Sequence, residues 1–173
     1  LMYLVICYQG AEGGAERVLV EFADALGRDC CVACPDGPLM QALGARGIRS
    51  FPLRAGSLEL RSGPAERLLA LGRLAGHARE MRSLVQALDP DLVIVWGMRS
   101  ALAARLVGIA RRTPVLFGHN DLLPGPVIAR LVRTAASSAR LIVTPSQAVA
   151  DDLDPHRRLA PKLAVVHPGV TVT

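Results

Sequence analysis

The sequence is short of lysine, of aromatic residues and of well-spaced cysteines. It holds one lysine, Lys162, against nineteen arginines, and its aromatic share is 3%. A Walker-type phosphate loop needs a lysine beside its glycines, and Lys162 stands near the far end of the chain, so that loop is excluded. So few aromatics leave little for bases to stack on. With no helix-turn-helix, zinc-finger or RNA-recognition signature, nucleic acid is not an expected partner. No apolar run reaches the roughly 18 residues that a membrane-spanning helix takes. Residues 1–8 are apolar, but no basic residue precedes them and no small-residue cleavage site follows. They read as a buried strand, not a signal peptide. The expected location is cytoplasmic. A nucleophile elbow (G-x-S-x-G), a metalloprotease helix (H-E-x-x-H) and a recognisable pair of glycosidase carboxylates are also missing.

The four cysteines are Cys7, Cys30, Cys31 and Cys34. Neighbours on a strand point to opposite faces, so Cys30 and Cys31 cannot share one tetrahedral metal, and no second Cys/His pair lies near them. They are expected to be buried structural thiols with no metal role.

What is present describes a folded domain. The 173 residues are 51% hydrophobic and 20% charged, which excludes intrinsic disorder. A chain of this length buries roughly 70% of its unfolded surface and needs no disulfide staples. The formal net charge is +5, and residues 99–140 carry seven arginines against one acid, Asp121. That stretch is either a solvated helix face or a surface for anions such as lipid headgroups.

The hydrophobic pattern alternates between two periods. Short continuous apolar runs at 1–8, 30–34, 48–53, 92–96, 115–117 and 141–144, with a last one at 163–167, predict strands buried on both faces. Longer helical stretches at 14–26, 38–45, 65–88, 100–110, 126–136 and 146–153 lie between most of them. Strand alternating with helix along the chain predicts an α/β fold: a doubly wound, Rossmann-like parallel sheet with helices on both faces, as one domain spanning 1–173. Residues 54–63 are the least patterned and predict an exposed loop. The ending after Pro168 and Gly169 has the look of a domain boundary.

In such folds ligands bind beyond the carboxyl ends of the strands. The first of those loops contains Gly10, Glu12, Gly13, Gly14, Glu16 and Arg17. Its glycine spacing does not match the dinucleotide fingerprint G-x-G-x-x-G, which argues against a nicotinamide-dependent oxidoreductase. Gly13-Gly14 reads equally as a tight turn or as a loop that lets an anion approach a helix N-terminus. Glu16 suits the first turn of a helix, where an acid complements the dipole. His119 follows the fifth strand and is placed to hydrogen-bond a sugar hydroxyl or phosphate, or to cap a loop. Asp121 either orients it or caps the next helix. Ser146 suits a helix N-cap.

Several segments in this order resemble one family. They are Gly13-Gly14-Ala15-Glu16-Arg17, then Asp89-Pro90-Asp91-Leu92-Val93, then Gly118-His119. Pro145-Ser146-Gln147-Ala148-Val149-Ala150-Asp151-Asp152-Leu153 follows, and Val166-His167-Pro168-Gly169-Val170 comes last. Together they resemble the N-terminal, acceptor-binding half of a retaining glycosyltransferase of GT-B fold, in the family 4 group. The resemblance covers nearly the whole chain. It implies two Rossmann-like domains facing a cleft, of which the C-terminal, donor-binding one is not in this sequence, so this chain alone is expected to be inactive. It implies a nucleotide-sugar donor, a glycan or lipid-linked acceptor, and no metal or cofactor. On the residues, it implies that Gly13, Gly14, Glu16 and Arg17 border the donor phosphates and that His119 contacts the transferred sugar. Trp96, Arg99, Asn120, Asp121 and Ser146 would line the acceptor cleft. Two departures stand out: Trp96 where the family often has histidine, and Thr171 where an aspartate is common. The arginine-rich stretch adds an expected peripheral contact with an anionic membrane at its inner face. The alternative reading is a non-catalytic Rossmann-like module that binds a nucleotide or a protein.

Overall fold

The computed structural model describes residues 1–9, 13–54 and 64–169, with backbone alone for 64–70. Gly10, Ala11 and Glu12 of the first loop, the expected loop at 55–63, and Thr171 lie outside the described residues.

Seven strands form one sheet: β1 (Tyr3–Cys7), β2 (Cys30–Pro35), β3 (Arg49–Leu53), β4 (Leu92–Trp96), β5 (Val115–Gly118), β6 (Leu141–Thr144) and β7 (Leu163–Val165). Every pairing is parallel and the order is β3-β2-β1-β4-β5-β6-β7. The helices are α1 (Gly14–Leu26), α2 (Pro38–Ala45), α3 (Pro64–Leu88), α4 (Met98–Val107), α5 (Pro126–Ser138) and α6 (Gln147–Leu153). The doubly wound sheet predicted from the apolar runs is the fold observed. Leu4, Val5, Ile6, Val32 and Ala33 are fully buried, which is why the central strands read as unbroken hydrophobic runs.

Two cores flank the sheet. On one face α1 and α2 cover Val5, Cys7, Val32, Cys34 and Ile94. On the other, residues of α3, α4 and α5 cover Leu4, Ile6, Val95, Phe117 and Ile142. Cys30 belongs to the first core and Cys31 to the second, as strand alternation requires. All four cysteines are free and buried. Burial pushes the thiols of Cys7 up to about 12 and of Cys30 and Cys34 up to about 11, which leaves them almost wholly protonated and poor nucleophiles.

Helix boundaries differ from expectation by up to three residues, most at the end of α4. The periodicity predicted a helix to residue 110, but α4 ends at Val107. Gly108 turns left-handed (φ 67°) and the chain continues as a 3-10 turn, Ile109–Arg111. Alanine and isoleucine at 109–110 keep the apolar period running past the point where the glycine ends the helix.

Helix α3 positions the site. Its 25 residues span about 37 Å, against about 17 Å for a five-residue strand such as β1. His77, halfway along it, stacks on Tyr8, which follows the end of β1 (centroids 4.1 Å, 14° apart). The tyrosine hydroxyl donates to the His77 carbonyl at 2.6 Å. The first turns of α3 therefore extend past the carboxyl edge of the sheet and form a wall beside it.

Candidate functional site

The strand order reverses between β1 and β4, so a crevice opens at their carboxyl ends, where doubly wound folds take ligands. Polar groups left without partners converge on that edge. Among the described residues, the buried side-chain N and O atoms lacking a hydrogen bond are Glu16 Oε1, His77 Nδ1, Trp96 Nε1, both ring nitrogens of His119, and Asn120 Nδ2. Glu16 opens the first helix, Trp96 ends β4, His119 and Asn120 follow β5, and His77 lies level with the end of β1. Buried polar groups are nearly always paired, and each unpaired one costs about 1–3 kcal/mol. Such a concentration on one edge marks hydrogen-bonding capacity reserved for something else. The set mixes acceptors (Glu16) with donors (Trp96, Asn120) and an imidazole that supplies one of each. That mixture matches hydroxyl groups, which both give and accept.

The first loop is shaped by Glu16. Its carboxylate is buried and accepts the Gly13 N–H at 3.0 Å, satisfying one of the orphan donors of α1. A Cβ on residue 13 would lie 2.6 Å from Glu16 Oε2, so any larger residue there would make the carboxylate shift from its present place. A carboxylate that occupies the helix N-terminus repels an anion, so Glu16 itself is suited to hydroxyls, not phosphates. Gly14 is exposed and nothing in the chain stands within 4 Å of where its Cβ would be. Arg17 is exposed on α1 and its amide donates to the Gly13 carbonyl at 3.1 Å.

His119 extends β5. Its amide donates to the Val143 carbonyl at 2.9 Å, and its ring packs against Phe117 (centroids 5.3 Å apart). The ring is fully buried, and burial pushes its pKa down to about 4 although Asp121 and Asp152 pull the other way. At neutral pH it is an uncharged imidazole. Asp121 is exposed and Asn120 half-buried.

The remaining predicted residues separate. Trp96 lies half-buried beside Phe22 of α1 (ring centroids 6.1 Å apart) and across Gly118, where a Cβ would meet the indole at 3.0 Å. Its indole is thus largely part of the α1 core. Arg99 is half-buried on α4, close enough for its charge to bear on Cys7 and His77. Ser146 is the N-cap of α6 and accepts the Val149 N–H at 3.3 Å, which accounts for the residue without a ligand. Tyr8 and His77 were not singled out from the sequence. Burial lowers the pKa of His77 and raises that of Tyr8, and His77 bonds to the Arg54 backbone while Glu80 takes the Arg54 N–H at 3.1 Å. No local spacing signals this cluster, because Tyr8 and His77 are 69 positions apart. Among the described residues no group of His, Cys, Asp and Glu is placed to hold a metal ion.

The model of Glycosyltransferase Family 4 matches residues 12–173. The chain belongs to that family. Solved structures agree with it in fold. The crystal structure of Anabaena HepE in complex with UDP-glucose superposes with a TM-score of 0.79 at 19% identity, over 98% of this chain and 44% of that one. The lipopolysaccharide outer core galactosyltransferase WaaB gives 0.69 at 14% identity, over 99% and 46%. The UDP-GlcNAc 2-epimerase of Neisseria meningitidis, bound to UDP-GlcNAc, gives 0.64 at 17% identity, over 97% and 47%. At these identities the likeness is one of fold: this family 4 chain has the Rossmann-like architecture of one half of a GT-B glycosyltransferase. It spans under half the length of those structures. No curated protein matches it.

Proposed function

We propose that this chain is the acceptor-binding N-terminal domain of a retaining glycosyltransferase. The whole enzyme would move a sugar from a nucleotide-sugar donor to a glycan or lipid-linked acceptor in envelope or exopolysaccharide synthesis. The carrying observation is the gathering of unpartnered polar atoms at the carboxyl edge, in a chain of family 4. The chemistry of that edge suits a hydroxyl-rich ligand, and HepE, whose structure holds UDP-glucose, shares the fold.

On this reading the neutral His119 donates through one ring nitrogen and accepts through the other, and so orients a sugar without adding charge. The donor's phosphates would border this Gly13-Gly14 turn on its exposed Gly14 side, where the Arg17 cation offsets the Glu16 carboxylate that fills the helix end. Asn120 and Asp121 border the acceptor side with Arg99, and Trp96 narrows it. The nucleotide sugar is the substrate; the proposed reaction calls for no metal or cofactor. The domain would lie at the inner face of the cell membrane in peripheral contact with anionic lipid. Among the described residues no helix is long and apolar enough to cross a membrane.

The test is His119→Ala in the intact enzyme. Loss of a positioned hydrogen bond at the reacting sugar predicts a fall in kcat/KM of about a hundredfold. Unchanged turnover would sink the assignment. A nucleotide- or protein-binding module without catalysis is the second reading. Micromolar nucleotide binding by these 173 residues alone would support it, since a lone acceptor domain should hold the donor weakly.

A further inference from the structure

A fully buried His119 cannot touch any ligand, yet both its nitrogens lack partners. Residues 119–125 connect β5 to α5, and Asp121 of this connection bears on the ring through its charge. The side chain of Leu123 packs on the same core as Phe117, the ring's neighbour. The Leu123 amide donates to Asp152 Oδ2 at 2.8 Å. Asp152 belongs to α6, and the end of α6 is itself clamped: Arg133 of α5 donates from Nε to the Leu153 carbonyl and from Nη2 to the Asp152 carbonyl, each at 2.8 Å. The acceptor is thus fixed to the body of the domain, while residue 122, next to the bonded amide, is a leucine 63% exposed.

We propose that Asp152 is a positioning residue: through the Leu123 amide it latches residues 120–125 as a strap over His119, and the strap must lift before His119 can meet a sugar hydroxyl. This rests on the reading of His119 given above. A closed strap keeps the imidazole dry and uncharged. An opened one exposes its two unspent nitrogens together with Asn120. Ligand binding then replaces one amide–carboxylate bond by hydrogen bonds to the sugar.

Two substitutions separate the latch from the charge of Asp152, because the two effects on His119 have opposite signs. Asp152→Asn removes the charge and keeps an acceptor for the amide. Asp121 still faces the ring, so the His119 pKa should stay near its starting value or fall. Asp152→Ala removes the acceptor too. The strap opens, water reaches the ring, and the His119 pKa rises from about 4 toward the ordinary 6.5. Histidine NMR titration reads both. Amide exchange at Leu123 should quicken by about tenfold to a hundredfold in Asp152→Ala and be largely restored in Asp152→Asn. A fall in the His119 pKa in both variants would overturn the proposal. Should Asp152→Ala not fold, the unsubstituted chain still decides. Leu123 exchanging well before the His119 amide, which lies in the β5–β6 ladder, supports a separate strap. Equal rates mean that it opens only on global unfolding, which overturns it. None of these readouts depends on turnover, so a failure of the transferase reading at His119→Ala leaves the strap result standing.

Discussion

Placing alanine at position 13 would set a methyl 2.6 Å from a Glu16 carboxylate oxygen. The side chain would have to leave the Gly13 N–H while still buried. A loss of about 1–2 kcal/mol is expected, the usual cost of a removed N-terminal cap. In a Glu16→Ala background the same Gly13→Ala change should cost only a few tenths, as measured by urea unfolding. Equal costs in both backgrounds would mean that the carboxylate is not why glycine stands there. His119 sets a second expectation at this scale. Its pKa is about 4 in the fold and about 6.5 unfolded, so as pH falls the unfolded chain takes up the proton first. The contribution is fully present above about pH 6.5 and is lost on the way down to about 4, on the order of 3 kcal/mol in all. His119→Asn should flatten that part of the stability profile. A slope unchanged in the variant would place the acid sensitivity elsewhere.

At the scale of elements, what could be read from the sequence is what local chemistry encodes. The central strands announce themselves because a sheet covered on both faces buries nearly every residue there, and Pro38, Pro126 and Ser146 mark helix starts by the backbone groups they lack or satisfy. The end of α4 was misjudged because the apolar period runs past Gly108. The edge where chemistry gathers followed from strand order, and His119 from its place after β5. Its burial did not follow, because it depends on packing between segments far apart in the chain, such as β6, whose Val143 carbonyl takes the His119 amide. Nor did the wall that α3 makes, which depends on Tyr8 meeting His77. That contact is testable. Tyr8→Phe keeps the ring stack and loses the bond to the His77 carbonyl, for an expected cost of about 1 kcal/mol. Tyr8→Ala loses both, for about 3–5 kcal/mol. Similar midpoint shifts for the two in urea would deny the stack a role.

Across the whole molecule the arginines divide. Of the seven between 99 and 140, Arg99 lies by the crevice and Arg133 is spent on the end of α6. Arg105, Arg111, Arg112 and Arg140 are exposed near the amino edge of the sheet, where Lys162 also bonds, and Leu106 stands 60% exposed among them. Arg105 and Arg111 line a hollow of about 220 Å³ with Ser137 and Ser138. These charges meet the carbonyl ends of α4 and α5, which favour cations. The basic stretch is therefore concentrated on the side of the domain away from the site. If it also docks on lipid, vesicles rich in anionic lipid should sediment this chain and neutral ones should not. Substituting Arg111 and Arg112 together by serine should remove most of the difference. Equal sedimentation with both kinds of vesicle would end the membrane reading.

A parallel sheet also aims its helices one way. The amide ends of α2, α4, α5 and α6 face the carboxyl edge, as does that of α1, where the Glu16 carboxylate already sits, while Arg105, Arg111, Arg112 and Arg140 lie near the opposite one. An anion held at the crevice is then gripped by short-range backbone dipoles, and one attracted to the other edge by mobile side-chain charges. Dissolved salt screens the second far more than the first. If both proposed contacts exist, raising ionic strength should strip the protein from anionic surfaces while leaving the hold of the intact enzyme on a nucleotide sugar almost unchanged, so the two would be separable by salt alone.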